Sequence, residues 1–196
     1  MPCPETIVPP SLINQFCLQA RNNAWSNPRL SRACAELSPK AFAAPRVSFF
    51  PSLCQTLQHI LFVDRRYLAD LIGPDRATVS RAKLPDTATA LGEAQLETDR
   101  RLIALCDGLD EPDLARVVLI DRNDGIDHRE TVCAILSHLF VHQVYHRGQV
   151  HAMLAGTSVP PPQLDEFFLA QDVPARDEKL RRLGISMPHD RAGQCR

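Results

Sequence analysis

The chain has 196 residues, a hydrophobic fraction of 44% and a formal net charge of −1. That length suits one domain with a full core, and the composition excludes a largely disordered chain. The near-neutral charge also lacks the basic excess typical of nucleic-acid binding.

Nothing in the sequence predicts a membrane or secreted protein. No apolar run approaches the roughly 18–20 residues that span a bilayer. The N-terminus has neither the basic start nor the apolar stretch of a secretory signal. The seven cysteines form no C-x-x-C pair and are odd in number. We therefore expect a cytoplasmic protein with free thiols rather than a disulfide framework.

The first predicted helix covers residues 11–37, with apolar residues at helical spacing and Ser11 as its cap. Pro28 interrupts that pattern, so we expect a kink or a break near Asn27. Residues 38–48 contain two prolines and are predicted to form a loop.

A second helix is predicted from Ser48 or Ser52 to about Ile72, where Gly73-Pro74 ends it. Residues 73–90, with two prolines and mixed polarity, are predicted to be a long crossover.

A third helix is predicted over residues 88–108. Residues 117–120 are β-prone and indicate either a short strand or a buried extended link. The fourth helix is predicted from about Arg129 to Ala155, before Gly156. Four long helices with negligible sheet predict an all-α protein, a four-helix bundle with a non-meander order.

The C-terminal part is predicted to be less regular. Residues 163–171 have the composition of a short helix that packs back on the bundle. We assign residues 1–173 to the domain and residues 174–196, which are rich in charge, to a mobile tail.

The fourth helix carries the run His138-Leu-Phe-Val-His142-Gln-Val-Tyr-His146-Arg-Gly-Gln149. At about 100° per residue, His142, His146 and Gln149 lie within a sector of roughly 60° that also holds apolar positions. Polar rings in such a place need partners, because an unsatisfied buried polar group costs about 1–3 kcal/mol. A divalent metal is one such partner. Gln143 follows His142 where zinc metalloproteases have a glutamate, so a protease is unlikely on this pattern.

The same run, with its following Pro pair, resembles the last-helix signature of the DinB family. Two earlier segments resemble the family's first and second helix motifs: Asn23-Ala-Trp25-Ser-Asn27, and Leu57-Gln-His59-Ile-Leu with Asp64, Tyr67 and Leu68. The resemblance covers roughly residues 12–171. It implies a four-helix bundle of up-down-down-up order, often a homodimer, with one divalent metal held by His59, His142 and His146.

The helical pattern of the sequence, taken without the resemblance, does not support the three proposed ligands equally. The helical pattern places His59 at the edge of an apolar stripe, so only the resemblance implies that it is a ligand. Asp64 lies inside that stripe, where it forms a salt bridge to an arginine such as Arg147 or accepts a bond from an imidazole. His138 is expected to be a fourth ligand or, by preference, either a core histidine or one that supports the ligands from beside them. Gln149 is expected either to position a water or substrate or to hydrogen-bond a neighbouring helix.

Other residues have simpler interpretations. Trp25 and Tyr145 are predicted to lie in the core, and Arg147 is predicted to bond between helices or to a loop. His151 is predicted to be an ordinary surface residue, and the cluster from Asp121 to His128 a solvated turn.

Two classes of function are open. A zinc or nickel ion on three neutral imidazoles keeps open positions, so we expect it to activate water in a hydrolase. The resemblance implies a second route, because the family includes thiol S-transferases: a low-molecular-weight thiol would bind the ion and act as the nucleophile. The alternative is a non-catalytic metal-binding structural or stress-response module. Three histidines with no cysteine nearby resemble an open site and favour an enzyme acting on a small molecule.

Overall fold

The computed structural model describes residues 11–73, 83–121 and 127–188, and this part of the chain is mostly helical. The helices are α1 Leu12–Ala35, α2 Pro39–Ala43, α3 Leu53–Ile72, α4 Ala88–Gly108, α5 Glu111–Ala115, α6 Val132–Ala155 and α7 Val173–Arg182. Strands β1 Val117–Asp121 and β2 Asp127–Thr131 pair as one antiparallel hairpin. Across these ranges, no helix is both long and apolar enough to cross a membrane.

The ends of the long helices follow from capping residues. The side chains of Ser11, Ser52, Thr87 and Thr131 each accept a hydrogen bond from a backbone N–H three residues ahead. These bonds satisfy donors that the first helical turn leaves unpaired. Of the two caps predicted for α3, Ser52 is the one used. Gly73 ends α3 at φ +123°, a conformation that residues with a Cβ rarely adopt.

The predicted break in the first helix is wrong, because α1 runs without interruption from Leu12 to Ala35 with Pro28 inside it. Proline removes one backbone donor and costs about 3 kcal/mol in a helix interior. The flanking residues offset this cost: Trp25 and Leu30 are each 1% exposed, and Asn27 bonds to Asp99 on α4. Tertiary packing on both sides of the proline holds the helix together.

The predicted loop over 38–48 contains the short helix α2. Ser38 caps it and Pro39 occupies its first turn, where the missing N–H of proline has no helical acceptor to lose. The last long helix, α6, begins at Val132 rather than near Arg129, since residues 127–131 belong to β2. The β-prone run 117–120 is therefore a strand. Most of the predicted turn between Asp121 and His128 lies outside the described residues, as do residues 74–82 of the predicted crossover.

The helix predicted over 163–171 does not form, and turns lead instead into the 3₁₀ turn Ala170–Asp172. Phe167 is fully buried in edge contact with Trp25, at 5.8 Å between ring centroids. Its carbonyl oxygen accepts a bond from Arg176 instead of a helical N–H.

The expected mobile tail begins as helix α7, which contacts α1. Leu180 of α7 is 1% exposed, so apolar burial anchors a segment whose composition is otherwise highly charged. The assignment of a domain boundary at residue 173 stays a prediction.

Each of the four long helices contacts two others, in the cyclic order α1, α4, α3, α6. The order of contacting residues along two neighbouring helices shows whether those helices run parallel or antiparallel. The antiparallel pairs are α1 with α4 (Arg21 to Asp107, Asn27 to Asp99) and α3 with α6 (His59 to His142, Tyr67 to His138). The parallel pair is α1 with α6 (Phe16 to Phe140, Asn23 to Arg147).

The apolar core consists of two separate clusters. One includes Phe16, Trp25 and Leu139, and the other includes Leu30, Leu53 and Leu154. Between them, buried polar side chains from all four long helices form a layer, called here the polar layer: Asn22, Asn23, Asn27, Asp64, Gln95, Asp99, Gln143 and Arg147.

Candidate metal centre

Three histidines converge where α3 and α6 cross. His59 comes from α3, and His142 and His146 come from consecutive turns of α6. One ring nitrogen from each lies within 4.8 Å of the others, and the Nε2 atoms of His59 and His142 are 2.9 Å apart. Helical spacing alone aligns His142 with His146, which are four residues apart. The antiparallel packing of α3 on α6 brings His59 to them.

The environment of these rings favours their neutral form. Burial, with the neighbouring His146, lowers the pKa of His59 to about 4. Burial and the three surrounding histidines lower the pKa of His142 to about 3. Burial also lowers the pKa of His146, although its bond to Gln149 opposes this. At neutral pH each ring therefore has a nitrogen lone pair to offer to an electrophile or a metal.

Gln149 fixes the tautomer of one of the three rings. Its Oε1 lies 2.9 Å from Nδ1 of His146. An amide oxygen only accepts, so Nδ1 of His146 carries the proton and its Nε2 keeps the lone pair. Gln149 thus bonds within its own helix rather than to a neighbouring one, and its role toward a water or substrate stays a prediction. His142 Nδ1 is buried and has no partner among the described residues.

Aromatic side chains surround the histidines. The Phe50 ring centroid is 4.3 Å from that of His59, and the Tyr145 centroid is 4.9 Å from that of His146. Tyr145 is 58% exposed, so its predicted place in the core is wrong: it lies on the outer face of α6 beside Val141 and Val144.

A cavity of about 500 Å³ lies between residues 46–49 and the last turns of α6. None of the three histidines is among its lining residues, but Gln149, which bonds His146, is. Val47, Phe49, Gln149 and Met153 are among its lining residues. Its volume falls in the range of small-molecule sites.

His138 does not join the cluster. Its ring lies 6.1 Å from that of His142 and 5.6 Å from that of Tyr67, and the residue is exposed. A core position for His138 is therefore wrong, whereas a supporting role beside the ligands stays a prediction. His138 lies one helical turn before His142, and at that level of α6 the side chain is exposed to solvent.

Asp64 lies in the polar layer and contacts no imidazole. It is 1% exposed and accepts hydrogen bonds from Gln95, at 2.7 Å, and from Gln143. Arg147 acts on it through charge and forms no direct bond to it. Neither expected role, a salt bridge to Arg147 or an acceptor for a histidine, is seen.

The charges of the polar layer nearly balance. Burial, with Asp99 nearby, raises the pKa of Asp64 to about 8, and burial raises that of Asp99 to about 6. At pH 7 Asp64 is therefore mostly protonated, and Asp99 is the anion that offsets Arg147. Arg147 bonds the amide oxygens of α1 at Asn23 and Asn22, which agrees with its predicted role between helices.

Sequence reasoning missed most of this layer. The side chains it overlooked are Asn22, Asn23, Asn27, Gln95, Asp99 and Gln143. The sequence pattern that could have indicated these residues is a set of uncharged amides and one carboxylate among apolar positions of α1, α4 and α6.

The chain is thus a helical protein in which three histidines from two long helices come together. The model of the DinB family matches residues 14–177, and the chain belongs to that family. Among solved structures, the crystal structure of a DinB-like protein, YjoA, from Bacillus subtilis has the same fold. It matches with a TM-score of 0.50 and 18% identity, covering 76% of this chain and 96% of that chain. Comparison with curated proteins gave no match.

Proposed function

We propose that this protein binds one divalent metal ion, zinc or nickel, through His59, His142 and His146. We further propose that it uses the ion as a hydrolase or thiol-dependent S-transferase acting on a small molecule. The observation that carries the proposal is the convergence of three neutral imidazoles at one point between two helices.

The donor set fits a metal better than it fits an ordinary hydrogen-bonded cluster. Two neutral imidazoles can share one N–H···N bond, as the 2.9 Å between the Nε2 atoms of His59 and His142 allows, whereas a metal takes a lone pair from all three rings. Gln149 holds His146 in the tautomer that frees Nε2, which is the usual arrangement of a histidine ligand.

An open site supports catalysis over a purely structural role. Structural zinc is nearly always enclosed by four protein ligands, often cysteines. Here the cluster contains three histidines, and no cysteine or carboxylate joins them among the described residues. The cavity of about 500 Å³ that Gln149 lines leaves room for a substrate.

When bound, such an ion lowers the pKa of a coordinated water or thiol and so supplies a nucleophile at neutral pH. The chain's own residues would bind the ion and orient His146 through Gln149, while Phe50 covers the ring of His59. The cluster offers no carboxylate as a general base, which favours the thiol route, since a thiol, with a free pKa of about 8.5, ionises more readily than water.

We also propose the up-down-down-up order of a four-helix bundle, supported by the antiparallel α1–α4 and α3–α6 pairs and the parallel α1–α6 pair. A homodimer is proposed through the outer face of α6, where Val141 and Tyr145 are 69% and 58% exposed. A cytoplasmic location is proposed from the cysteines of the described residues, which form no disulfide: Cys17, Cys34, Cys54, Cys106 and Cys133.

Metal stoichiometry tests the ligand set. Purified metal-free protein is titrated with zinc and with nickel, and bound metal is measured by elemental analysis. Replacing His59, His142 or His146 with alanine should abolish one-to-one binding, because two imidazoles hold an ion weakly. His138→Ala is the matched control and should bind as the unaltered protein does. Full affinity in His59→Ala would show that the third ligand is misassigned.

Turnover is tested separately on the metal-loaded protein. A p-nitrophenyl ester reports hydrolysis, and a low-molecular-weight thiol with an alkyl halide reports S-transfer, in which an S–C bond forms and halide leaves. Activity that needs both the metal and His142 would identify the route. One-to-one metal without turnover across a panel of such substrates would favour the non-catalytic module.

A further inference from the structure

A second cavity lies on the opposite side of α6 from the histidines. It has a volume of about 470 Å³ and is bounded by α1, α6 and the segment 163–168. None of the three histidines lines it. The lining residues that matter for its chemistry are Asn22, Val144, Arg147, Gly148, Leu164 and Phe168.

Arg147 gives this cavity a buried positive charge. The residue is 5% exposed, and its guanidinium donates to Asn23 Oδ1 at 2.7 Å and to Asn22 Oδ1 at 3.2 Å. Its weaker contacts, to Asn27 and Gln143 at 3.4 Å, are also with amide oxygens. Every hydrogen-bond partner of this cation is therefore neutral, and the charge that acts on it from a distance is that of Asp99, since Asp64 is mostly protonated.

The guanidinium keeps donors to spare. Arginine has five N–H groups, and within the described ranges Arg147 bonds only through Nη1 and Nη2, with no bond from Nε. Asn22, which is 5% exposed, likewise makes no bond through its amide nitrogen there. Bonds from such donors to an anion are roughly twice as strong as bonds between neutral groups.

The cavity has both apolar and polar walls. Val144 and Phe168, which are 57% and 44% exposed, form the apolar part together with Leu164. The other lining side chains are Gln19, His151, Gln163 and Asp165. Gly148 has no atom within 4 Å of the position of a Cβ, so the space beside it is open. The carboxylate of Asp165 accepts a bond from Gln163 and repels anions, most strongly those with more than one negative charge.

We infer that this cavity binds a small organic monocarboxylate with an apolar body. Its carboxylate accepts hydrogen bonds from Arg147 and Asn22, and its body packs on Val144, Leu164 and Phe168. The inference does not depend on a metal at the histidines, because the two sites use different faces of α6.

Nuclear magnetic resonance on the isotopically labelled, metal-free protein tests it, with 3-phenylpropionate as the probe. The uncharged control is 3-phenylpropionamide, which has nearly the same shape. We expect saturable shifts of the backbone signals of Gly148 and Leu164 in the millimolar range, and at least tenfold weaker binding of the amide. Equal binding of the two, no binding of the carboxylate at 20 mM, or shifts centred on the histidines would overturn the inference.

A cavity-filling variant gives a second test that leaves the polar layer intact. Gly148→Leu adds a side chain into open space and should weaken 3-phenylpropionate binding at least tenfold. The matched control is Gly108→Leu at the end of α4, where a Cβ also meets nothing within 4 Å. Circular dichroism verifies that both variants fold. Unchanged binding by Gly148→Leu, or an equal loss in Gly108→Leu, would contradict the assignment.

Discussion

Replacing Asp64 with asparagine should stabilise the protein at neutral and alkaline pH. Asp64 is 1% exposed, and burial raises its pKa to about 8. In the unfolded chain the same carboxyl has a pKa near 3.9. The folded state therefore holds a proton that the unfolded state releases, so this group makes the free energy of unfolding fall as pH rises from about 4 to 8.

The size of the effect follows from the two pKa values. One unit corresponds to about 1.4 kcal/mol, so between pH 4 and pH 7 Asp64 removes on the order of 4 kcal/mol of stability. Asparagine has the shape of the protonated acid and cannot ionise. Its oxygen can accept the bonds from Gln95 and Gln143, and its N–H₂ can donate to Gln95 Oε1, which has no partner within the described residues.

Urea unfolding followed by circular dichroism, at pH 4.5, 5.5, 7 and 8 with a chelator present, measures this. The histidines also make stability depend on pH, because their lowered pKa values make the free energy of unfolding fall as pH drops below about 6.5. This contribution is the same in both proteins, so it cancels in the difference between the variant and the unaltered protein. We expect Asp64→Asn to gain a few kcal/mol at pH 8 and little at pH 4.5.

Asp99→Asn is the matched control. Asp99 has the lower pKa of the two buried acids and offsets the charge of Arg147, so its loss should destabilise the protein at pH 7 and 8. Parallel stability curves for Asp64→Asn and the unaltered protein would refute the assigned protonation, as would a less stable Asp64→Asn at pH 8.

Three further outcomes are expected. Gln149→Leu should weaken zinc binding about 10- to 100-fold in a competition titration, because His146 loses the acceptor on Nδ1; an unchanged affinity would exclude an orienting role. Zinc affinity should fall less than about tenfold between pH 7 and pH 5.5, since the pKa values of His59 and His142 lie near 4 and 3; a steeper loss by calorimetry would contradict those values. Gly148→Ala should raise stability by about 0.5–1 kcal/mol, whereas Gly92→Ala should lower it, because a Cβ at Gly92 would lie 2.8 Å from Cβ of Ser31 on α1; thermal melts giving both the same sign would refute this.

The sequence by itself determined what depends on neighbours in the chain. Ser52 and Thr87 begin their helices, and Gly73 ends α3, because caps act within one turn. For the same reason the sequence aligned His142 with His146 on one face, since residues four apart are adjacent on a helix.

Only the tertiary structure decided contacts between distant segments. The helical pattern left His59 at the edge of its stripe, and only the packing of α3 on α6 brings it to the other two histidines. It also decided that α1 continues through Pro28, and that Leu180 anchors a charged segment expected to be mobile.

The polar layer shows why contacts between distant segments could not be predicted from the sequence. Asn27 and Asp99 are 72 positions apart, and Arg147 lies 124 positions from Asn23. A buried amide or carboxylate is tolerable only when its partner is present. The sequence contains every one of these groups, but the free energy of burying them depends on pairings that exist only after four helices have packed.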